Sequence, residues 1–157
     1  MSTNKIKVFF SISLSKRLLF IEAFLMLGWA RCMKQVPFQK LTKILRLQLA
    51  ETRFQTNEIK KQSIYEISEA IHIMSRHTIW ESMCLVRAIA AMKMLDRRGI
   101  SSTLYLGTGK NETGQLIAHA WLRSGDQYVT GGEEMRGFTV VGSFTKIKHA
   151  VGDNHGR

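Results

Sequence analysis

Between about residue 15 and residue 98, apolar side chains recur at the three- and four-residue spacing of amphipathic helices. Four segments follow this spacing: 15–33, 37–53, 63 to about 76, and 83–98. Pro37 suits the first turn of the second helix, and Ser63 with Glu66 is typical of a capping box at the start of the third. Gly99 suits a left-handed residue that closes the fourth. The polar stretch 54–62 is predicted to be a loop.

Beyond Gly99 the apolar period falls to two, which is typical of strands. Strands are predicted at 103–106, 116–123, 127–130 and 138–141. Helices come first and an antiparallel sheet last, so the fold class is α+β. We divide the chain into an N-terminal helical region, 1–62, and a core, 63–157. The glycine-rich segment 107–114 matches no phosphate-loop spacing and is predicted to be a hairpin loop.

Composition narrows the class of protein. A chain of 157 residues with 45% hydrophobic residues and one proline fits a single folded domain. Its two cysteines cannot form a disulfide scaffold. The apolar stretch 18–33 contains Glu22 and Arg31, which leaves it short of the roughly 20 residues of a membrane span, and no signal-peptide cleavage site follows it. We expect a cytoplasmic protein with at most weak membrane contact.

The net charge of +11 is concentrated in the first half of the chain. Residues 1–80 contain 13 Lys and Arg residues against 5 Asp and Glu residues. Such a surface attracts anionic partners, which include nucleic acid, anionic membranes and acidic peptides. No basic run and no nucleic-acid-binding motif is present, so we expect no nucleic-acid partner.

Cys84 and His119 are the residues best suited to chemistry. Cys84 lies near the start of the fourth helix, where a thiolate is stabilised, and His119 lies within an apolar strand between two alanines. Cys32 lies inside a helix with no histidine partner and is predicted to be a packing residue. No ligand spacing indicates a metal site, and no cofactor is expected.

The residues around this pair resemble the leader peptidases (B2 proteins) of lasso peptide biosynthesis, which are transglutaminase-like cysteine proteases. The resemblance covers almost the whole chain. It is carried by Trp80-x-x-x-Cys84-Leu85-x-Arg87-Ala88-x-Ala90, Met94-Leu95, Arg98-Gly99-Ile100, Leu104-Tyr105-Leu106-Gly107, Ala118-His119-Ala120-Trp121 and the N-terminal Arg17-Leu18-Leu19-x-x-Glu22-Ala23-x-Leu25.

This resemblance implies a transglutaminase- or papain-like core in which a catalytic helix packs on the antiparallel sheet. It implies a peptidase that cuts the leader from a ribosomally made precursor peptide. The partners it implies are a separate leader-recognition protein of the B1 type and the ATP-dependent lasso cyclase. Acyl transfer to an amine, and a non-catalytic peptide-binding module on the same fold, are the alternatives.

In this interpretation Cys84 is the nucleophile, its backbone N–H is an oxyanion donor, and His119 is the general base and acid. Trp80 and Trp121 are candidate residues of the substrate cleft, although Trp80 is equally expected to be a core residue. The cap of the catalytic helix is open between a Thr78–Glu81 capping box and Ser82, and the chemistry favours Ser82 because it places Cys84 in the first turn.

The third member of the triad is open. The resemblance implies an Asp on the strand after His119, and a hairpin turning near residue 125 places residue 131 or so opposite the histidine. That position holds no Asp. Asp126 lies at the turn, roughly 14 Å away along the strand. Asp126, Glu133 and a backbone or amide group are the candidates.

Overall fold

The structure, a computed structural model, describes residues 12–55, 58–80 and 83–146 as a layer of helices on one sheet. The helices are α1 (Leu14–Met33), α2 (Phe38–Ile44), α3 (Glu58–Ser75) and α4 (Cys84–Asp96). The strands are β1 (Leu47–Leu49), β2 (Thr103–Lys110), β3 (Leu116–Ser124), β4 (Gln127–Thr130) and β5 (Thr139–Lys146), with a 3₁₀ turn at Met135–Gly137 before β5. The predicted α+β class is confirmed.

Helix α4 is the centre of the packing because it is apolar on almost every face. Eight of its 13 residues are buried, which is typical of a helix enclosed by other elements. Helices α1 and α3 pack against it on one side, and β3 packs against it on the other. The buried residues that α1 and α3 contribute are Ala23, Leu27, Ala30, Ile64, Ile67, Ala70 and Ile71. The core of the protein therefore surrounds the helix that begins at Cys84.

The five described strands form one sheet in the order β1-β5-β2-β3-β4, and every neighbouring pair is antiparallel. Strand β2 is central and pairs with β3 along its whole length, placing Gly107 opposite His119. Strand β4 pairs only with the last residues of β3, from Leu122 onward. The chain after β4 is consequently free to turn back beside the middle of β3.

The predicted second helix, 37–53, is wrong beyond residue 44. Helix α2 ends at Ile44, Arg46 adopts a left-handed conformation with φ 53°, and the chain continues as β1. β1 pairs with residues 144–146 of β5, about one hundred residues later in the chain. The local apolar spacing fitted a helix, but pairing with a distant strand decides the conformation.

Further boundaries differ from the predictions, and the strand predicted at 138–141 is instead β5, Thr139–Lys146. Helix α3 begins at Glu58 rather than at Ser63, and Glu66 accepts a hydrogen bond from Gln62 Nε2 (2.9 Å) one turn inside the helix. The segment 107–114 was predicted to be a hairpin loop. Its first half, residues 107–110, belongs to β2, so only residues 111–114 of it lie in the loop. Gly99 has φ 63°, which confirms its left-handed conformation after α4.

The division of the chain at residue 62 stays a prediction. Strand β1 comes from the N-terminal region and is an edge strand of the core sheet, while α3 begins four residues before the proposed boundary. Within the described ranges, none of the helices combines the length and apolarity needed to cross a membrane.

Candidate active site

Cys84 is the first residue of α4, and Met83 is its N-cap in an extended conformation, with φ −68° and ψ 171°. The backbone N–H groups of a first helical turn have no partner within the helix and point toward the positive end of its dipole. The Cys84 N–H is one of these groups. The thiol lies half-buried against the apolar core, at the end of the helix where a negative charge is stabilised.

Both predicted caps begin the helix of Cys84 earlier than the structure does. Thr78 Oγ1 donates to the carbonyls of Ser75 and Trp80, so it turns the chain before the helix. The predicted partners Glu81 and Ser82 lie outside the described residues. The prediction that the Cys84 thiol lies in the first turn of the helix agrees with the observed start of the helix at Cys84.

His119 lies on β3 with 8% of its surface exposed and is enclosed by two aromatic rings. Its ring centroid is 5.8 Å from that of Trp121 and 5.0 Å from that of Phe138. Gly107, opposite His119 on β2, makes this possible, because a Cβ there would lie 2.8 Å from the Trp121 ring and 3.0 Å from Phe138 Cβ. The sequence did not predict that Phe138 would lie beside His119, because this contact arises from packing between different strands.

One ring nitrogen of His119 is held by the turn that follows β4. Nε2 lies 2.9 Å from the carbonyl oxygen of Gly131 and 3.3 Å from Oε2 of Glu134. A carbonyl oxygen can only accept, so Nε2 carries the proton and, in the neutral ring, Nδ1 is the basic nitrogen. Nδ1 has no hydrogen-bond partner among the described residues.

Gly131 is required at this contact. Its φ is +67°, and a Cβ there would lie 2.7 Å from the Ala120 carbonyl oxygen and 3.0 Å from His119 Nε2. A glycine both permits the left-handed turn and allows the backbone to approach the imidazole. Residue 131 is the neighbour that the hairpin register predicted, but it contacts His119 through its backbone.

The structure places the two predicted carboxylates away from the imidazole. Asp126 lies at the β3–β4 turn, where its Oδ2 is 3.8 Å from Lys61 Nζ. Glu133 is exposed, and within the described residues the carboxylate at ion-pair distance from His119 is that of Glu134. The predicted residue, Glu133, is therefore the sequence neighbour of Glu134, whose carboxylate lies beside His119.

The two tryptophans have different surroundings. Trp121 is buried, stacks on Tyr105 with 5.6 Å between centroids, and adjoins His119. The Trp80 ring packs against Phe24 and over Gly28 on α1, with its centroid 5.1 Å from that of Phe24. Trp121 thus borders the imidazole directly, whereas the described contacts of Trp80 are with α1.

Cys84 begins the helix that packs on β3, and the β3 residues in that core are Ala120 and Leu122. His119 alternates with them and lies with Trp121 on the other face of the strand. No hydrogen bond joins the Cys84 thiol to the imidazole in the described part of the chain. Cys32, predicted to be a packing residue, is instead exposed. No group of three potential metal ligands occurs among the described residues.

A cavity of about 560 Å³ adjoins the turn that holds His119. Its lining includes Gly131 and Glu134, and also Arg87, which lies one turn after Cys84 on α4. Arg87 Nε and Thr130 Oγ1, both in this lining, are buried without a hydrogen-bond partner among the described residues. The cavity adjoins the turn that contacts His119, although neither Cys84 nor His119 lines it, and it offers two polar atoms to a bound group.

A family model described as the transglutaminase-like superfamily matches residues 32–143, which is more than half of the chain. The match contains Cys84, His119 and Glu134. No curated protein and no solved structure matches the chain significantly.

Proposed function

The chain belongs to the transglutaminase-like superfamily, and from this premise we propose that it is a cysteine peptidase that removes the leader from a ribosomally made lasso peptide precursor. The superfamily includes cysteine proteases and acyltransferases. The sequence blocks around Cys84 and His119 support the choice of leader peptidase within it.

One observation carries the proposal: the protonated Nε2 of His119 is bound at the turn after β4, so Nδ1 is the basic nitrogen. A nucleophilic thiol needs a base whose lone pair is available and whose ring is held in one orientation. The Gly131 carbonyl fixes the tautomer and the aromatic rings of Trp121 and Phe138 fix the plane. The remaining nitrogen is the one that would receive the Cys84 proton.

The proposed reaction has two halves. The thiol proton of Cys84 moves to Nδ1 of His119, and the thiolate attacks the scissile carbonyl carbon, with the Cys84 N–H donating to the oxyanion. Collapse breaks the C–N bond, and Nδ1 returns the proton to the leaving amine. Water, deprotonated by the same nitrogen, then hydrolyses the thioester, releasing a carboxylate and restoring the thiol.

In this mechanism Gly131 and Glu134 are positioning groups. Proton uptake at Nδ1 makes the ring an imidazolium, whose Nε2–H is still bound by the Gly131 carbonyl. The Glu134 carboxylate adds attraction at 3.3 Å, but its side chain is 61% exposed, so solvent weakens that attraction. A backbone carbonyl thus takes the main part of the role expected of a triad acid.

The proposed setting is cytoplasmic. The precursor peptide would be delivered by a separate B1-type leader-recognition protein, and the ATP-dependent cyclase would take the released core. The basic character of residues 1–80 supports an acidic partner surface, because such charge speeds the encounter with an anionic protein.

The test is cleavage of a precursor peptide in the presence of the recognition protein, followed by mass spectrometry. Wild type should give leader and core fragments whose masses sum to the precursor plus one water. Cys84→Ala should abolish cleavage because no other group in this mechanism forms the thioester. Cys32→Ala, a change at the exposed cysteine, is the matched control and should cleave like wild type.

Undiminished cleavage by Cys84→Ala would refute the nucleophile. A product in which the acyl group is joined to an amine would assign the chain to the acyltransferases of its superfamily. Binding of the precursor without any covalent change would favour the non-catalytic module.

A further inference from the structure

The outer face of α1 carries an exposed apolar seam. Its four residues are 48–64% exposed and follow one another at intervals of four, three and four residues: Leu14, Leu18, Ile21 and Leu25. At 3.6 residues per turn they fall within an arc of about 60° and extend over about 17 Å. No charged residue of α1 falls within this arc. The opposite face, with Ala23, Leu27 and Ala30, is buried in the core.

The elements beside the seam carry net positive charge. Residues 12–34 and 93–98 contain seven Lys and Arg residues against two acidic residues, and Glu66 of α3 adds one acidic residue to the groove beside Leu18. Glu22, beside the seam, is paired with Arg98 (2.7 Å) and Arg97 (3.6 Å), and Lys93 lies over the Trp29 ring at 5.9 Å. The border between α1 and α4 is therefore cationic even after its ion pairs are formed.

We propose that this seam binds an amphipathic helix with acidic flanks on a partner protein. A narrow seam with alternating three- and four-residue intervals is the pattern by which one helix packs along another. A helix lying in a membrane surface presents a broader apolar face than about 60°. A second copy of this chain would bring two cationic borders together, whereas acidic flanks complement them.

The probe is a pair of synthetic helical peptides of about three heptads with Leu at the a and d positions. One peptide carries Glu at the e and g positions and the other carries Lys. Fluorescence anisotropy with the intact protein should show the acidic peptide binding at least about ten-fold more tightly than the basic one. Raising the salt from about 50 to about 300 mM should narrow this difference because the charges are exposed.

The variant Leu18→Gln/Leu25→Gln should weaken binding of the acidic peptide by about ten-fold or more, because two contact residues become polar. Both side chains are exposed, so circular dichroism and the melting temperature should match wild type. Leu49→Gln alters a leucine on β1 that is more exposed than either of these and should bind like wild type.

Three outcomes would overturn the proposal. Equal binding of the two peptides, or binding that the double variant leaves unchanged, would show that the seam does not select acidic helices. Self-association of wild type that the double variant abolishes, measured by sedimentation, would make a second copy the occupant. Flotation with anionic vesicles, lost in the same variant, would make it a membrane surface. None of these readouts depends on peptidase activity.

Discussion

Strand β3 carries two buried polar residues on one face, and they are bonded very differently. His119 and Arg123 are 8% and 1% exposed, and alternation along the strand places them on the same side with Trp121 between them. Tyr105 of β2 stacks on Trp121 and contacts the Arg123 end. One face of one strand therefore allows a direct comparison of two buried polar groups.

Arg123 has its hydrogen-bonding groups engaged. Nε and Nη2 donate to Tyr105 Oη at 3.0 and 2.8 Å, Nη1 donates to the Gly125 carbonyl at 2.6 Å, and Nη2 donates to the Thr52 carbonyl at 2.9 Å. The guanidinium also stacks on Phe54 at 3.8 Å. A buried group satisfied in this way ties the segment before α3 to the sheet and has no bonding capacity left for a ligand.

His119 is bonded at Nε2 and has a second ring nitrogen without a partner among the described residues. Within the described residues, Nδ1 is not one of the fully buried polar atoms that lack a partner, so the fold neither bonds this nitrogen nor seals it from solvent. The Arg123 end of the strand therefore serves architecture, while the His119 end leaves one nitrogen unbonded, which the proposed function would use.

Substituting His119 and Arg123 one at a time by an uncharged residue tests this comparison most directly. His119→Gln should lower precursor cleavage by about 10³-fold, since it removes the general base, and should change the free energy of unfolding little. Arg123→Met should lower the free energy of unfolding by about 3 kcal/mol, because several buried acceptors lose a charged donor. Cleavage rates and urea unfolding measure the two effects.

Folded Arg123→Met protein should cleave at a rate close to wild type once the unfolded fraction is subtracted. A large loss of activity in the folded fraction would show that the two ends are coupled. Full stability in this variant would show that the hydrogen bonds of Arg123 are not architectural.

A smaller effect is expected at the turn. Glu134→Gln should lower kcat by about ten-fold or less and leave KM unchanged, because the exposed carboxylate only assists the Gly131 carbonyl. Asp126→Asn and Glu133→Gln are matched controls and should cleave within about two-fold of wild type. A larger loss in either control than in Glu134→Gln would restore the candidates drawn from the sequence.

The sequence predicted the helix that begins at Cys84 and the strand of His119 well because their patterns are strong and local. The run that begins at Cys84 is apolar on almost every face and is followed by Gly99, and β3 is a mostly apolar run of nine residues between turns at Gly114 and Gly125. Residue 131 was expected near His119 from the hairpin, but the ladder ends at Thr130, which pairs with Leu122 after a register shift, and Gly131 reaches the imidazole from the turn that follows.

The remainder depends on long-range packing. Strand β1 has three residues and exists through its pairing with β5, so its apolar spacing was taken for helix. The approach of Phe138 to His119 depends on Gly107 having no side chain. Glu134 reaches the imidazole because Gly131 adopts a left-handed conformation. The sequence Gly-Gly-Glu-Glu allows this conformation but does not predict it.

The smallest predicted effect concerns Tyr105, which joins the two ends of the comparison. Its hydroxyl accepts from Arg123 and donates to Glu51 Oε2 at 3.0 Å. Burial raises the pKa of Tyr105 above its ordinary value of 10.0, with Arg123 opposing that change and Glu51 adding to it. Tyr105→Phe should lower the free energy of unfolding by about 1 kcal/mol at pH 7, since Arg123 keeps its carbonyl partners.

The direction of the pKa change of Tyr105 determines how the stability difference between wild type and Tyr105→Phe varies with pH. A tyrosine whose pKa is higher in the folded than in the unfolded state stabilises the fold fully below the unfolded value of 10.0, and this contribution is lost as pH rises through the folded pKa. Urea unfolding between pH 7 and about pH 11 should therefore show wild type and Tyr105→Phe converging above pH 10. Tyr128→Phe, a change at an exposed tyrosine on β4, should stay within about 0.5 kcal/mol of wild type at pH 7. A gap between wild type and Tyr105→Phe that stays constant with pH would mean that the Arg123 guanidinium cancels the effect of burial on this pKa, and a gap that widens above pH 10 would mean that it outweighs burial. In the second case the Arg123 end of β3 would be an electrostatic site rather than a purely architectural one.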